Sequence, residues 1–212
     1  MLETYAIPVS LYCAKLRIVL RAKGLEWREI PPTGGYGSDE YKAIVPSGNL
    51  PALRDGGLLI CDSEAIAEYL NDIRPEPPML SHDPAARALE RDRGRFHDTR
   101  LEPEVRRLFP YLPGRTEPEP GFLAAQARAI QARLDQLARF LALAPEAGDR
   151  LSLGDCGYPV TLAWLDELTP RMELGLSLPG PVARYRDRVA AQPAVAAELG
   201  DYGPKLAAFL DG

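Results

Sequence analysis

The segment from Val45 to Leu70 constrains the fold more than any other part of this sequence. Two short runs within it, Pro51–Arg54 and Leu58–Cys61, have the composition of β-strands. The Asp-Gly-Gly tripeptide at residues 55–57 between them is a strong signal for a tight hairpin turn. The segment therefore predicts a β-hairpin approached by an extended stretch of chain.

A helix is predicted directly after this hairpin. Asp62 and Ser63 are preferred N-cap residues, and Glu64 suits the positive end of a helix dipole. Apolar side chains then follow at helical spacing, at Ile66, Tyr69, Leu70 and Ile73. The hairpin thus leads straight into a helix N-terminus.

Two main-chain features of this unit can bind a peptide ligand. A strand that starts at a proline has lost one ladder donor, so Pro51 is predicted at a sheet edge, where the Leu50 main chain can pair with an extended peptide. The N–H groups of residues 62–65, with the Ser63 hydroxyl, can bind a carboxylate. The same residues also fit an ordinary hairpin followed by a capped helix with no ligand. Local physics alone favours this second interpretation, because helix caps are commoner than binding sites.

Asn49-Leu50-Pro51, followed after the hairpin by Asp62-Ser63-Glu64-Ala65-Ile66, resembles the glutathione-binding half of a cytosolic glutathione S-transferase of the serine-type, bacterial kind. The resemblance implies a cis Pro51, main-chain pairing of Leu50 with the cysteinyl part of glutathione, and an acid-serine pair at the γ-glutamyl end. Asp62 is shorter than the family's usual Glu or Gln, and Asn49 replaces a commonly basic residue. The residues expected to bind glutathione are Asn49, Leu50, Pro51, Asp62 and Ser63.

The chain before the hairpin predicts the rest of a thioredoxin-like domain. Leu2–Ile7 and Leu25–Ile30 are predicted strands, Leu11–Lys23 is a helix opened by Ser10, and Ser38 opens a short second helix. With the hairpin and its helix, the element order is βαβαββα. In the first helix, Leu16, Val19 and Leu20 are predicted to face one side, with Lys15, Arg21 and Lys23 largely elsewhere.

After the proline-rich segment 74–81 no strand pattern persists, so the remaining chain predicts an all-helical domain. The predicted boundaries are residues 1–76 for the thioredoxin-like domain, 77–83 for the linker and 84–212 for the helical-bundle domain. The fold class is therefore α/β plus all-α, and the family resemblance implies the same two-domain organisation.

Of the first predicted helices in this second domain, one is highly charged and another carries a single apolar stripe. Asp83-Pro84 opens a helix through about Arg100, whose charges predict a solvated face, and prolines from Pro103 onward predict turns. A regular apolar stripe from Leu123 to Leu141 predicts a helix with one buried side. In the family the charged helix lines the second-substrate cleft, which implies that Phe96, His97 or Arg100 faces an electrophile.

A predicted capping box, Ser152 to Asp155, precedes a helix that is apolar on most faces and forms the core of this domain. Pro159 is expected to kink that helix. Two shorter helices, at 182–191 and 205–210, complete the prediction.

Ser10 is the main catalytic candidate. The resemblance implies that this residue, between the first strand and the first helix, contacts the glutathione sulfur. From the residues alone, the stronger interpretation is a simple N-cap whose hydroxyl accepts from the Cys13 amide. Within the fold that the resemblance implies, the catalytic role is the stronger interpretation. Cys13 and Tyr5 are secondary candidates, because Cys13 is expected to pack inward and Tyr5 to pack across strands.

Composition excludes several other classes of protein. The formal net charge of −5, without a long basic run, argues against a nucleic-acid partner. Three widely spaced cysteines and two histidines predict neither a disulfide framework nor a metal site. Residues 2–7 lack a signal-peptide pattern and no stretch reaches membrane-span length, so we expect a cytoplasmic protein without membrane contact.

The functional hypothesis is a homodimeric glutathione transferase-like enzyme that stabilises the glutathione thiolate for attack on a small electrophile. Glutathione is then a co-substrate, and no permanently bound cofactor is expected. Two alternatives stay open: a glutathione-dependent isomerase of the zeta, maleylacetoacetate type, and a non-catalytic transferase-like interaction module.

Overall fold

The computed structural model describes residues 1–143 and 150–212. Four short strands form one sheet in the order β2-β1-β3-β4, with β1 at Leu2–Tyr5, β2 at Trp27–Ile30, β3 at Ala52–Asp55 and β4 at Leu58–Ile60. β1 runs parallel to β2, while β3 is antiparallel to both β1 and β4. The parallel crossover and the closing hairpin are therefore confirmed.

Three helices accompany this sheet: α1 at Leu11–Ala22, α2 at Asp39–Ile44 and α3 at Ser63–Ile73. Each begins at a predicted cap, because the side chains of Ser10, Ser38 and Asp62 accept hydrogen bonds from main-chain N–H groups of the first turn. The resulting order is βαβαββα, which confirms the thioredoxin-like fold of this part of the chain.

The predicted position of Pro51 at a sheet edge is wrong. β3 lies inside the sheet, between β1 and β4. Pro51 stands one residue before β3 and is joined to Leu50 by a cis peptide bond. A proline just outside the ladder removes no ladder donor, so an interior strand can follow it.

The chain after residue 80 is helical wherever it has regular structure in the described ranges. Its α-helices are α4 at Pro84–Phe96, α5 at Glu102–Arg106, α6 at Phe122–Leu143, α7 at Tyr158–Arg171, α8 at Gly180–Ala190 and α9 at Pro193–Leu210. None of the described helices is both long and apolar enough to cross a bilayer.

The sequence predicts that the charged helix ends before Pro103, and this prediction is wrong. A π-helical turn at His97–Leu101 joins α4 to α5, so helical structure runs on past Pro103 to Arg106. The Glu102 N–H bonds to the His97 carbonyl, five residues back, which widens the helix just before the proline. A wider turn accommodates a ring that would clash with an ordinary α-helical turn.

Two further helix predictions are wrong in detail. Pro159 lies in the first turn of α7, where its missing N–H breaks no helical hydrogen bond, so it has no reason to kink the helix. α9 begins at Pro193, well before the predicted start at Lys205. Gly200, Gly203 and Pro204 lie inside α9 and disguise it in the sequence, because such residues normally mark breaks.

The core of the helical part follows the predicted apolar patterns. α7 buries most of its circumference, including Tyr158, Leu162, Trp164 and Leu168, which confirms it as the central helix. α6 buries one stripe, formed by Gln126, Ile130, Leu134 and Leu137. Each of these helices therefore buries the side that the spacing of its apolar residues predicts.

The charged face predicted for α4 is only partly solvated. Glu90 and Arg93 are buried, and α4 crosses close to a short 3-10 turn at Leu153–Asp155. A side chain at Gly154 would place its Cβ 2.0 Å from the Glu90 carbonyl oxygen, so only glycine allows this approach.

The predicted capping box is confirmed, and it is part of a larger buried cluster. Asp155 Oδ2 accepts hydrogen bonds from the Ser152 N–H at 2.9 Å and the Ser152 hydroxyl at 2.8 Å. Asp155 Oδ1 accepts from Arg93 Nε at 3.0 Å and from the Tyr185 hydroxyl at 2.6 Å. Asp155 therefore neutralises a buried guanidinium as well as capping a turn.

Replacing Asp155 by Ala should destabilise the protein far more than loss of an ordinary cap. Leaving the Arg93 charge buried and unpaired costs about 3–5 kcal/mol, whereas a cap alone is worth about 1 kcal/mol. The expected result is a melting temperature lower by roughly 10 °C for a chain of this size. The matched control is Glu117→Ala, which removes an exposed carboxylate and should leave the melting temperature nearly unchanged. A similar small effect in both variants would contradict the prediction.

Candidate functional site

A cleft of about 650 Å³ lies between the N-terminal end of α3 and the helical run from α4 to α5. One wall carries four of the residues predicted to bind glutathione: Asn49, Leu50, Asp62 and Ser63. The opposite wall comes from the second half of the chain, with Arg95, Asp98, Thr99, Glu102, Arg106 and Arg107. Another surface groove of about 680 Å³, against the start of α6, contains none of the predicted site residues.

The N-terminus of α3 offers fewer donors than the sequence suggested. Asp62 Oδ1 accepts from the N–H groups of both Glu64 and Ala65, at 3.0 Å each. These two donors are therefore satisfied by the chain itself. The Ser63 hydroxyl, the Ser63 N–H and the second Asp62 oxygen lie at the cleft beside them, and they make no hydrogen bond with other described residues. The site thus pairs a carboxylate with hydroxyl and amide donors.

The loop that carries Leu50 is held from beneath. The Tyr41 hydroxyl donates to the Asn49 carbonyl at 2.8 Å, and the Leu50 side chain packs in an apolar cluster with Tyr5, Tyr41 and Ala52. Throughout the described ranges, no residue hydrogen-bonds to the Leu50 main chain. Its N–H and carbonyl are held in place at the cleft and free to pair with an extended ligand.

Ser10 lies in a smaller chamber of about 170 Å³ beside this cleft. The two spaces share Tyr12, Tyr36, Leu50 and Arg106, so they form one connected site. The Ser10 oxygen accepts from the Cys13 N–H at 3.3 Å, as expected for an N-cap. That bond uses a lone pair and leaves the hydroxyl proton available to a ligand.

Cys13 and Tyr5 do not line either space. Cys13 is 1% exposed, and burial raises the pKa of its thiol. Tyr5 is 3% exposed and packs against Tyr41 with ring centroids 5.5 Å apart. Of the three residues considered for contact with a ligand sulfur, Ser10 is the one at the chamber wall.

The sequence did not predict the second wall of the site. The Tyr12 hydroxyl donates to Glu102 Oε2 at 3.1 Å, and Glu102 also forms an ion pair with Arg106. Burial, followed by the nearby Glu102 carboxylate, raises the pKa of Tyr12 far above its usual value, so the phenol stays protonated. The sequence predicts turns from Pro103 onward, and this prediction hides the helical placement of Glu102 and Arg106.

The sequence predicts Lys15 away from the buried apolar side of α1, but the structure buries it. It is 2% exposed, and its ammonium lies 2.6 Å from Glu64 Oε2 and 2.8 Å from Asp98 Oδ2. Burial alone lowers the pKa of a lysine, but the Asp98 and Glu64 charges outweigh it and raise the pKa of Lys15. The ammonium therefore ties α1 to the start of α3 and to the π-helical turn.

The residues expected to face an electrophile lie elsewhere. His97 is buried, with Nδ1 2.7 Å from Asp98 Oδ1 and Nε2 2.7 Å from the Thr161 hydroxyl. Phe96 packs on Phe140, with ring centroids 5.0 Å apart. Arg100 lines a separate cavity beside Phe96 and is not at the cleft. The π-helical turn rotates the helix, which brings Asp98 and Thr99 to the cleft instead.

Comparison with known proteins places residues 5–78 in the family described as the glutathione S-transferase N-terminal domain. Maleylacetoacetate isomerase from Pseudomonas aeruginosa is 41% identical over 96 residues, which is 42% of this chain and 44% of that protein. The chain therefore matches less than half the length of the curated relatives with this level of identity.

Two similarities extend over nearly the whole chain. The stringent starvation protein A homolog of Pasteurella multocida is 28% identical over 207 residues, covering 92% of this chain and 89% of that protein. A glutathione transferase from Pseudomonas putida, solved with one glutathione disulfide bound per subunit, has a TM-score of 0.79 at 21% identity and covers 93% of this chain and 90% of that one. The second similarity confirms the predicted combination of a thioredoxin-like part and a helical part.

Asp98 links the second wall of the cleft to the buried lysine. Burial raises the pKa of a carboxyl group, but here the hydrogen bond with His97 and the charge of Lys15 outweigh it and lower the pKa of Asp98 to about 2. The folded protein therefore binds fewer protons at this group than the unfolded chain does, and the stabilisation is present above the unfolded pKa.

The Asp98 contribution to stability should disappear in acid. It amounts to about 2 kcal/mol, is complete above about pH 4, and is lost as the pH falls towards about 2. We expect urea-unfolding free energies of Asp98→Asn to fall less steeply with decreasing pH than those of the wild type. Asp39→Asn, which changes a fully exposed carboxylate, should keep the wild-type slope. Parallel pH profiles for wild type and Asp98→Asn would show that folding does not lower the pKa of the Asp98 carboxyl group.

Proposed function

We propose that this chain is a glutathione transferase, which binds glutathione in the cleft and joins the glutathione sulfur to a small electrophile. The match of residues 5–78 to the glutathione S-transferase N-terminal domain supports this proposal. One observation carries the proposal. The free main chain of Leu50, the pair Asp62 and Ser63, and the hydroxyl of Ser10 all open onto one connected space. A tripeptide thiol needs these three kinds of contact, for its backbone, its charged end and its sulfur.

The γ-glutamyl end of glutathione carries both an ammonium and a carboxylate, and the start of α3 is complementary to both. The second Asp62 oxygen can accept from the ammonium, while the Ser63 hydroxyl and N–H can donate to the carboxylate. The Leu50 main chain then pairs with the cysteinyl residue, next to Pro51, and Asn49 lies within the same wall. These five residues are the proposed glutathione-binding set.

Ser10 is proposed to stabilise the glutathione thiolate. A thiol with a pKa of about 8.5 needs roughly 2.7 kcal/mol of thiolate stabilisation to lower that pKa by about two units. One hydroxyl donating to an anion supplies about 1.5–3 kcal/mol, and the N-terminus of α1 adds about 0.3–1 kcal/mol. Cys13 and Tyr5 rank below Ser10 because both are buried away from the chamber.

In the transfer step, the thiol proton leaves to solvent and the thiolate sulfur attacks the electrophilic carbon. The carbon–sulfur bond forms as the leaving group departs with its bonding electrons. In the isomerase alternative, the sulfur adds to a conjugated double bond, the resulting single bond rotates, and elimination restores the thiolate. The relative named maleylacetoacetate isomerase supports this alternative, which uses the same thiolate but a different electrophile and ends with release of free glutathione.

A second candidate is a non-catalytic module that binds another protein. Its support is the similarity over nearly the whole chain to a protein named as a stringent starvation protein A homolog, with no transferase in its name. The shortened acid at Asp62 and the uncharged Asn49 are the departures from the transferase pattern that fit it. For either function we propose that the protein is a homodimer. We also propose that each chain consists of a thioredoxin-like domain at residues 1–76, a linker at 77–83 and a helical domain at 84–212.

Calorimetric titration of glutathione tests the binding site directly. We expect saturable binding by the wild type and a roughly tenfold weaker affinity for Asp62→Asn, because the amide keeps the N-cap but loses the charge that pairs with the ammonium. The matched control is Asp83→Asn, which changes the N-cap of α4, whose side chain accepts from the Ala86 N–H at 2.8 Å. No binding at millimolar glutathione by the wild type would favour the interaction module.

The Ser10 role is tested with chlorodinitrobenzene as the electrophile. Ser10→Gly removes the hydroxyl but keeps an acceptable N-cap, so stability should change by only a few tenths of a kcal/mol. Activity at neutral pH should fall about 10- to 100-fold, because the thiolate loses a hydrogen bond to a charged group. The pH at which activity rises should also move upward, towards the free thiol pKa of about 8.5.

Ser10→Thr keeps a hydroxyl and serves as the matched control. It should keep most of the activity and the wild-type pH profile. Equal activity of wild type and Ser10→Gly across the pH range would remove Ser10 from the mechanism.

A further inference from the structure

The chamber beside Ser10 has an aromatic back wall. Phe109 stacks on Trp164 with ring centroids 4.5 Å apart, and Phe209 meets Trp164 edge-on at 6.2 Å. The Trp164 N–H donates to the Tyr202 hydroxyl at 2.7 Å, and that hydroxyl donates to the Val9 carbonyl at 2.8 Å. The polar atoms of this wall are thus used within the protein, and its open face is apolar.

Two guanidinium groups stand over this wall. Arg106 lies 5.5 Å from the Phe109 ring centroid, and Arg115 lies 5.5 Å from the Phe209 ring centroid. Arg106 is paired with Glu102. Arg115 donates only a long hydrogen bond of 3.4 Å, to the Phe109 carbonyl, and pairs with no carboxylate in the described part of the chain.

The charge of the chamber is therefore one-sided. Its charged lining residues are Arg106 and Arg115, and no Asp or Glu is among the described residues that line it. Water hydrates an exposed guanidinium, but a planar carboxylate can replace that water with two parallel hydrogen bonds of fixed geometry. An arginine without an acid partner at the edge of an aromatic pocket is typical of a site for a planar anion.

We propose that the second substrate is an anionic electrophile, an aromatic or unsaturated carboxylate, whose carboxylate pairs with Arg115. This assignment rests on the proposed function, since it names the molecule that the glutathione sulfur attacks. The planar part of the substrate stacks in the chamber against Phe109 and Phe209, and its reactive carbon faces Ser10. Arg106 reinforces the field at the entrance, where the chamber joins the cleft.

The experiment compares two electrophiles that differ by one charge: neutral chlorodinitrobenzene and anionic chlorodinitrobenzoate. In both, the carbon–sulfur bond forms and chloride leaves with its electrons. We expect the ratio of kcat/KM for the anion to that for the neutral compound to fall about tenfold in Arg115→Gln, through KM. Arg115→Lys should restore part of the preference, since it keeps the charge but loses the planar fork.

Arg128→Gln is the charge-matched control. Arg128 is an exposed arginine of α6, away from the chamber, so the variant changes the net charge equally without touching the site. The kcat/KM ratio should stay at the wild-type value. A ratio that changes equally in Arg115→Gln and Arg128→Gln, or in neither, would overturn the assignment.

A binding measurement separates this inference from the proposed function. Quenching of tryptophan fluorescence by dinitrobenzoate and by dinitrobenzene needs no catalysis. In a Trp27→Phe background, which removes the other tryptophan of the chain, it reports on Trp164 in the chamber wall. Tighter binding of the anion, weakened in Arg115→Gln, supports the anion site even if no transferase activity is found. Equal binding of the two compounds overturns the anion site, even in a protein that turns over chlorodinitrobenzene.

Discussion

The buried ammonium of Lys15 is the interaction on which the geometry of the site depends. It neutralises Glu64, one residue after the proposed ligand-binding Ser63, and Asp98, which lies on the opposite wall of the cleft. A buried lysine is tolerated only when carboxylates compensate its lost hydration, and here two carboxylates from distant parts of the chain do so. The width of the cleft is therefore set by a charged contact beneath it. Loss of the ammonium would leave two partly buried carboxylates facing each other.

The second wall of the cleft depends on the same contact through the π-helical turn. Asp98 belongs to the turn at His97–Leu101, and His97 fixes Asp98 from the other side through a hydrogen bond. The wide turn shifts the helical phase by about one residue relative to an α-helix, so Glu102 accepts a hydrogen bond from Tyr12 within the second wall of the cleft. A residue near the sulfur site and a residue 90 positions away in sequence are thereby placed together.

The sequence predicted what local chemistry determines and missed what distant pairs determine. The sequence predicts Ser10 and Asp62 as caps because N-cap preferences act within three residues. The sequence predicts Lys15 away from the apolar side of its helix because its charge is visible locally, whereas its partner Asp98 lies 83 residues away. The predictions for Pro103 and Pro159 are wrong for a related reason, since the effect of a proline depends on its position within a helix and local sequence does not determine where a helix ends. The chamber arginine Arg115 had no local signal, because it follows a proline-rich stretch that predicts only turns.

The two interpretations of Ser10 that the sequence left open are compatible in the structure. A hydroxyl has one proton and two lone pairs, and the N-cap bond from the Cys13 N–H occupies a lone pair. Accepting that bond polarises the hydroxyl and makes it a better donor to an anion. The same holds for Asp62, because one oxygen caps α3 while the residue lines the cleft with its second oxygen unused by the cap. A cap at a helix N-terminus that borders a cleft is thus already oriented, rigid and placed at the positive end of a dipole, so structural capping and anion recognition strengthen each other.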